Sequence, residues 1–201
     1  MKGLLLENNK DALVIVAHPD DETIWMGGTI LGFKNLNWTV FSLCRASDPD
    51  RAPKFKKVCR HYGAQGIIAD FEDQGLMGVE ESVPKIEKII AANFARKKFA
   101  YIFTHGPNGE YGHERHLGVH LAAKKLVKKK IIICDRLFFF AYKLNSDEKI
   151  VNLPEKSVDF VFKLDYKKLK TKKNIIKNLY GFSKKSFENI SCLPEETFNI
   201  L

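Results

Sequence analysis

Long apolar runs are missing from this chain. The longest candidates, around Ile131 to Cys134 and Leu137 to Tyr142, are interrupted by Asp135 and Arg136, and neither approaches the ~18 residues that span a bilayer. The first ten residues carry no recognisable secretory leader, because Leu4-Leu5-Leu6 is their whole apolar part and Glu7 closes it. Cysteine is sparse: Cys44, Cys59, Cys134 and Cys192 form no CxxC pair and sit among apolar neighbours. This argues against a disulfide framework and for buried free thiols in a reducing compartment, so a cytoplasmic location is expected. Arginine is scarce after residue 120, where only Arg136 occurs. Residues 1–120 balance 15 Lys/Arg against 15 Asp/Glu, whereas residues 121–201 carry 18 against 9 and so hold the whole net charge of +9. Solvated lysines account for that excess. No aromatic–basic signature of a nucleic-acid module accompanies it, and no nucleic-acid partner is expected.

What is present reads as alternating strands and helices. Residues 12–17 form a short apolar run without alternation, the mark of a strand buried on both faces. Further strands are predicted at Trp38 to Cys44, Gly66 to Ala69, Tyr101 to Thr104 and Ile131 to Cys134. Helices are predicted at Gly27 to Lys34, from Pro53 to about Tyr62 with Gly63 as the stop, at Ser82 to Ala95, and from about His113 to Lys129. This rhythm implies an α/β fold: a Rossmann-like open, mostly parallel sheet flanked by helices, with its core at about residues 10–135. A smaller C-terminal β/α extension would follow at about 136–201, with a strand at Val158 to Leu164 and a basic helix at Tyr166 to Leu179. The last twelve residues are expected to be loosely ordered, and residues 1–201 to form one domain.

Two segments carry the chemistry. Ala17-His18-Pro19-Asp20-Asp21-Glu22 places one imidazole and three carboxylates directly after the first buried strand. Desolvating such groups costs several kcal/mol each unless they are paired or bind a metal. His113-Glu114-Arg115-His116, with His105 and His120 close by, lies beyond another strand's carboxyl end. Histidines three apart at a helix start reach one small volume. In open parallel sheets the ligand crevice lies beyond the carboxyl ends of the strands, where both segments fall. The mixed N and O donors suit zinc with an open position, or ferrous iron.

These residues resemble the PIG-L/LmbE-like de-N-acetylases, which act on N-acetylglucosamine-type amides. The family's Ala-His-Pro-Asp-Asp-Glu motif stands intact at Ala17 to Glu22. Its Gly-His-x-x-His helix start stands at Gly112 to His116. The resemblance implies His18, Asp21 and His116 as ligands of Zn²⁺, with Fe²⁺ or another divalent ion as the alternative. It implies Asp20 as general base, and His113 as the group that polarises the carbonyl or acts as acid. Arg51, twelve residues before Gly63, matches the family's substrate-binding arginine. The expected substrate is a small molecule or glycoconjugate carrying an N-acetyl amino sugar, hydrolysed by metal-activated water. Three departures stand out. Ala52 replaces an acidic residue, Arg115 replaces an Asp, and the C-terminal His-x-Ser-Gln segment is absent, with Tyr180-Gly-Phe-Ser183 as its stand-in at the substrate-facing rim.

The residues leave secondary alternatives open. Asp20 can cap a helix or orient a ligand instead of acting as base. Glu22 is expected to support the motif. His105 and His120 are expected to be structural, with support of the ligands from behind as the alternative, and Asp73 to be a rim residue or a solvated loop acid. A non-catalytic or regulatory fold member binding an anionic glycan or nucleic acid through residues 121–201 is the competing reading. An amide hydrolase for another substrate is the third.

Overall fold

In the computed structural model, which describes residues 1–144, 152–154 and 157–201, ten strands and seven helices alternate in chain order. The strands are β1 (Lys2–Gly3), β2 (Asp11–Val16), β3 (Asn37–Cys44), β4 (Gln65–Phe71), β5 (Lys98–Thr104), β6 (Ile133–Phe140), β7 (Tyr142–Leu144), β8 (Asn152–Pro154), β9 (Phe160–Lys163) and β10 (Glu195–Ile200). The helices are α1 (Asp21–Gly32), α2 (Arg51–Tyr62), α3 (Val79–Phe94), the single turn α4 (Gly109–Gly112), α5 (Glu114–Lys128), α6 (Tyr166–Asn174) and the short α7 (Phe187–Ile190). A wider π-helical turn, Ile175–Tyr180, continues α6.

Eight strands form one sheet in the order β1-β9-β10-β6-β5-β2-β3-β4. The run from β6 to β4 is parallel, and β10 joins it antiparallel to both β6 and β9. The α/β reading therefore holds, as a mostly parallel mixed sheet flanked by helices. Strand order reverses between β2 and β5, so a crevice opens beyond their carboxyl ends. Both sheet faces are apolar. Val14, Val16, Trp25, Phe55 and Phe138 fill one side, and Leu13, Ile15, Phe41, Ile86 and Val119 fill the other. This double burial is why β2 reads as a continuous apolar run. No helix among the described residues is long and apolar enough to cross a membrane.

Four local expectations are corrected. The first helix begins at Asp21, not Gly27, so the acidic motif itself forms its opening turn. It kinks at Met26 (φ −149°, ψ 18°), and the buried Glu196 accepts the freed Gly28 and Thr29 N–H groups at 2.7 and 2.6 Å. The fifth strand runs on to Phe140, because Asp135 and Arg136 lie at its exposed end while Leu137 to Phe140 are buried. Helix α3 starts at Val79, which puts Pro84 beyond the first turn. The last residues are not loose: β10 lies inside the sheet with Phe198 fully buried. The glycines of α1 make room for this C-terminal part, since a Cβ on Gly28 would stand 2.3 Å from Leu164 Cδ2.

Candidate metal centre

The end of β2 is stitched to the end of β5 by side chains. Backbone pairing stops at Ile15 and Thr104. Thr104 Oγ1 then donates to the Ile15 carbonyl at 2.9 Å, and the Ala17 N–H donates to His105 Nε2 at 2.9 Å. The next residues, His18 to Asp21, turn sharply into α1. Asp20 takes a left-handed φ of 121°, a conformation that costs a non-glycine residue about 1–3 kcal/mol. Glu22, fully buried, accepts the Asp20 N–H at 3.1 Å and thereby holds the turn. Thr23 Oγ1 and the Tyr180 hydroxyl donate to the other Glu22 oxygen at 2.6 and 2.7 Å. Burial pushes the Glu22 carboxyl up to about 7. Tyr180 is thus buried behind the motif and does not form the rim.

His18, Asp21 and His116 meet. His18 Nδ1 lies 3.3 Å from Asp21 Oδ2, His116 Nε2 lies 3.4 Å from the same oxygen, and the two nitrogens are 3.3 Å apart. Ligands at the ~2.0–2.1 Å of a tetrahedral zinc stand about 3.3–3.4 Å from one another, so this triangle has the right edge. The far side of each imidazole is backed by a carboxylate. His18 Nε2 lies 2.9 Å from Asp73 Oδ1, and His116 Nδ1 lies 2.6 Å from Glu110 Oε2. Such backing fixes the tautomer that leaves the inward nitrogen free to ligate. Trp25 Nε1 donates to Asp21 Oδ1 at 3.1 Å and orients the third donor.

The electrostatics also call for a cation. Burial opposes protonation of His18, yet Asp21 and Asp73 outweigh it and raise its pKa to about 9. His116 shifts upward too, against its burial, under the charge of Asp21. Asp21 itself is held well below its usual range: burial works to raise it, but His116, His105 and His18 prevail. Without a metal the site retains protons in its place.

Besides this triangle, three overlapping donor groups among the described residues have ligand atoms within 4.8 Å of one another: His18/His113/His116, Asp21/His105/His116 and His18/Cys44/Asp73. Their chemistry sorts them. His105 has no free nitrogen, because Nε2 accepts from Ala17 and Nδ1 is 2.7 Å from Glu110 Oε2. Cys44 is held protonated, with burial pushing its pKa up. His113 caps α5, its Nδ1 accepting the Arg115 N–H at 3.2 Å, so its proton sits on Nε2. Burial and the neighbouring His116 and His18 lower the His113 pKa to about 4. It is therefore a neutral N–H donor.

His18, Asp21, Asp73 and His113 line a cavity of about 240 Å³ with Arg45, Arg51, Tyr111, Phe187 and Glu188, and His116 lies fully buried behind them. Asp20 lies in it. Its side chain makes no cap hydrogen bond, which removes the capping alternative. Arg51 donates to Asp20 Oδ2 at 2.8 Å, while the Arg51 guanidinium stacks 4.5 Å above the Phe182 ring. Burial and the charge of Asp21 hold the Asp20 carboxyl well above its ordinary value, with Arg51 pulling the other way. His120 is remote from this chemistry and bonds the His105 carbonyl at 2.9 Å through Nδ1.

Of the two readings of Asp73, the one at the site fits: it lines the cavity, backs His18 and is itself gripped by Arg45 at 2.6 Å. Several other site residues escape the sequence reading. Arg45 follows β3 directly, so the rule of strand carboxyl ends could have found it. Glu110 is a lone acid within the single turn α4, with a left-handed φ of 59°, and nothing in the pattern marks it. Phe187 and Glu188 arrive from the C-terminal part without any signal. The departure at Arg115 has a structural account. The buried Arg115 bonds Glu72 Oε2 at 2.9 Å and the Met77 carbonyl at 2.5 Å, tying the Asp73 loop to the helix that carries His116.

A family model described as GlcNAc-PI de-N-acetylase, PIG-L, matches residues 13–127, more than half of the chain. The chain belongs to the PIG-L family. The match covers both motifs and stops before the C-terminal strands. No curated protein matches the chain. Among solved structures, the A40926 pseudoaglycone deacetylase Dbv21 superposes with a TM-score of 0.68 at 16% identity, covering 97% of this chain and 98% of its own. The 4-carboxy-2-hydroxymuconate hydratase GalB of Pseudomonas putida KT2440 superposes with a TM-score of 0.65 at 14% identity, covering 96% of each chain. At such identities the likeness shows the fold alone, and the two proteins are named for different reactions.

Proposed function

We propose that this PIG-L family member hydrolyses the acetamido group of an N-acetylglucosamine-type substrate, using a divalent cation held by His18, Asp21 and His116. The observation that carries the reading is the donor triangle with edges of 3.3, 3.4 and 3.3 Å, with a carboxylate behind each imidazole. Zinc suits two nitrogens and one oxygen, and ferrous iron is the alternative. Such an ion supplies Lewis acidity, which lowers the pKa of water and polarises the acetyl carbonyl.

The chain's own residues supply the rest. Asp20 takes a proton from the attacking water as the new C–O bond forms. It returns that proton to the nitrogen as the C–N bond breaks, releasing acetate and a free amine. Its raised pKa suits a group that must both accept and deliver a proton, a contribution of about 10²–10⁴ in rate. Arg51, bonded to Oδ2, fixes the carboxylate and stands where a substrate hydroxyl would lie. His113, neutral with its proton on Nε2, donates to the developing oxyanion. This favours the polarising role over that of a proton-donating imidazolium.

The test is acetate release from a panel of N-acetylglucosamine glycosides, phosphates and lipid conjugates by metal-reconstituted protein. The expected result is turnover of at least one conjugate, abolished by chelation and by His116→Ala. Stoichiometric metal with no acetate from any member would overturn the substrate assignment. The non-catalytic reading has less support. Five lysines of its basic region, Lys125, Lys129, Lys163, Lys168 and Lys172, are already in ion pairs.

A further inference from the structure

Most charged groups of the cavity are spoken for. Asp20 is bonded to Arg51, Asp73 to Arg45 and His18, and Asp21 faces the imidazoles. Glu188 is different. Its half-buried carboxylate lines the same cavity, yet among the described residues it has no hydrogen-bond or ion-pair partner. A polar side chain that faces a cavity without a partner in the fold is free to serve a ligand. Its position is fixed nonetheless. Ser186 caps α7 through its hydroxyl, and the Glu188 carbonyl accepts Cys192 Sγ at 3.3 Å. The adjoining Phe187 ring wedges between Trp25, at 6.5 Å between centroids, and Tyr111, at 5.2 Å. An aromatic floor and a free carboxylate thus share one wall of the reaction cavity.

We propose that this wall reads the sugar: Glu188 accepts hydrogen bonds from ring hydroxyls of the amino sugar while Phe187 lies against its apolar ring face. The inference rests on the proposed deacetylation and makes Glu188 a specificity residue for it. It comes from residues outside the segment 13–127 that matches the family model. Helix α7 supplies polar recognition here.

The probe is methyl N-acetylglucosaminide, with acetate release as the rate and inhibition by free acetate as a control for the metal end of the cavity. Glu188→Ala should raise KM about 10- to 100-fold, as loss of hydrogen bonds to a charged acceptor does. Its kcat should stay within about threefold and its Ki for acetate should not change. Glu188→Gln keeps an acceptor oxygen and should recover most of the loss. Neither variant should lower Tm, because the carboxylate has no partner to lose. A KM for Glu188→Ala equal to wild type, or a kcat that falls as far as kcat/KM, overturns the assignment. A Gln variant as poor as Ala overturns the hydroxyl contact in favour of a cationic group. If the wild-type protein releases no acetate from this or any N-acetyl sugar, the deacetylase reading itself fails, and that outcome is visible without any Glu188 variant.

Discussion

Glu110→Gln is the most exacting test of how the site is held. Glu110 is fully buried, and burial alone would raise its pKa, but His105 and His116 draw it down to about 2, so it stays ionised. Its Oε2 serves His105 Nδ1 and His116 Nδ1 at 2.7 and 2.6 Å, while Oε1 accepts the Gly106 N–H at 2.8 Å. Every partner donates, so an amide cannot replace the carboxylate. With its oxygen toward the imidazoles, the amide N–H₂ confronts the Gly106 N–H. Turned over, it confronts both rings and pushes their protons to the inward nitrogens. The His116 donor is then lost, and His105 meets the Ala17 N–H. One buried donor left unsatisfied costs about 1–3 kcal/mol. At about 2–4 °C per kcal/mol for a chain of this size, Tm of the metal-free protein should fall by roughly 2–12 °C. Metal affinity should fall about 10- to 100-fold, the usual consequence of removing a carboxylate behind a ligating histidine. A competition titration against a chromophoric chelator reads the affinity, and a melt in excess chelator reads the stability. Affinity within threefold of wild type together with an unchanged Tm would refute the tautomer argument.

Three further outcomes are expected. Asp20→Asn should lower kcat for acetate release by about 10²–10⁴ while the protein still binds one equivalent of metal, and loss of metal along with activity would make Asp20 a ligand. Since the His18 pKa is raised from 6.5 to about 9, metal binding at pH 7 must expel that proton. Calorimetry in buffers of different ionisation enthalpy should therefore show proton release, with affinity rising up to about pH 9. The same proton stabilises the metal-free fold below pH 6.5, and that stabilisation is lost as pH climbs through 9, so Tm in chelator should decline across this window. A pH-independent affinity and Tm would contradict this. Lys172→Ala should cost about 3–5 kcal/mol by leaving buried Glu196 without its ion-pair partner at the kink of α1, whereas Lys172 and Glu196 replaced together by apolar residues should cost less. Denaturant melts of the single and double variants check it.

The parallel core was legible in the sequence for a simple reason. Strands buried on both faces are apolar without alternation, and β2, β3 and β5 obey that rule. The two motifs could be placed together because both follow such strands, and the order reversal between β2 and β5 brings their exits side by side. What escaped depends on long-range partners. Glu196 lies 168 positions from the Gly28 amide it caps, so neither the kink of α1 nor the order of β10 has a local signal. Glu110 looks like an ordinary acid until the fold brings it behind His116, as it brings Asp73 behind His18. Tyr180 stood in sequence where a rim residue was expected, yet the wide turn at Ile175–Tyr180 buries its hydroxyl on Glu22.

X-ray absorption at the zinc edge of the metal-loaded protein addresses the central assignment most directly. Ligation by His18, Asp21 and His116 predicts a shell of nitrogen and oxygen at about 2.0–2.1 Å with the outer-ring signature of two imidazoles, reduced to one in His116→Ala. A sulfur scatterer at about 2.3 Å would place the ion on the His18/Cys44/Asp73 group instead and contradict the account.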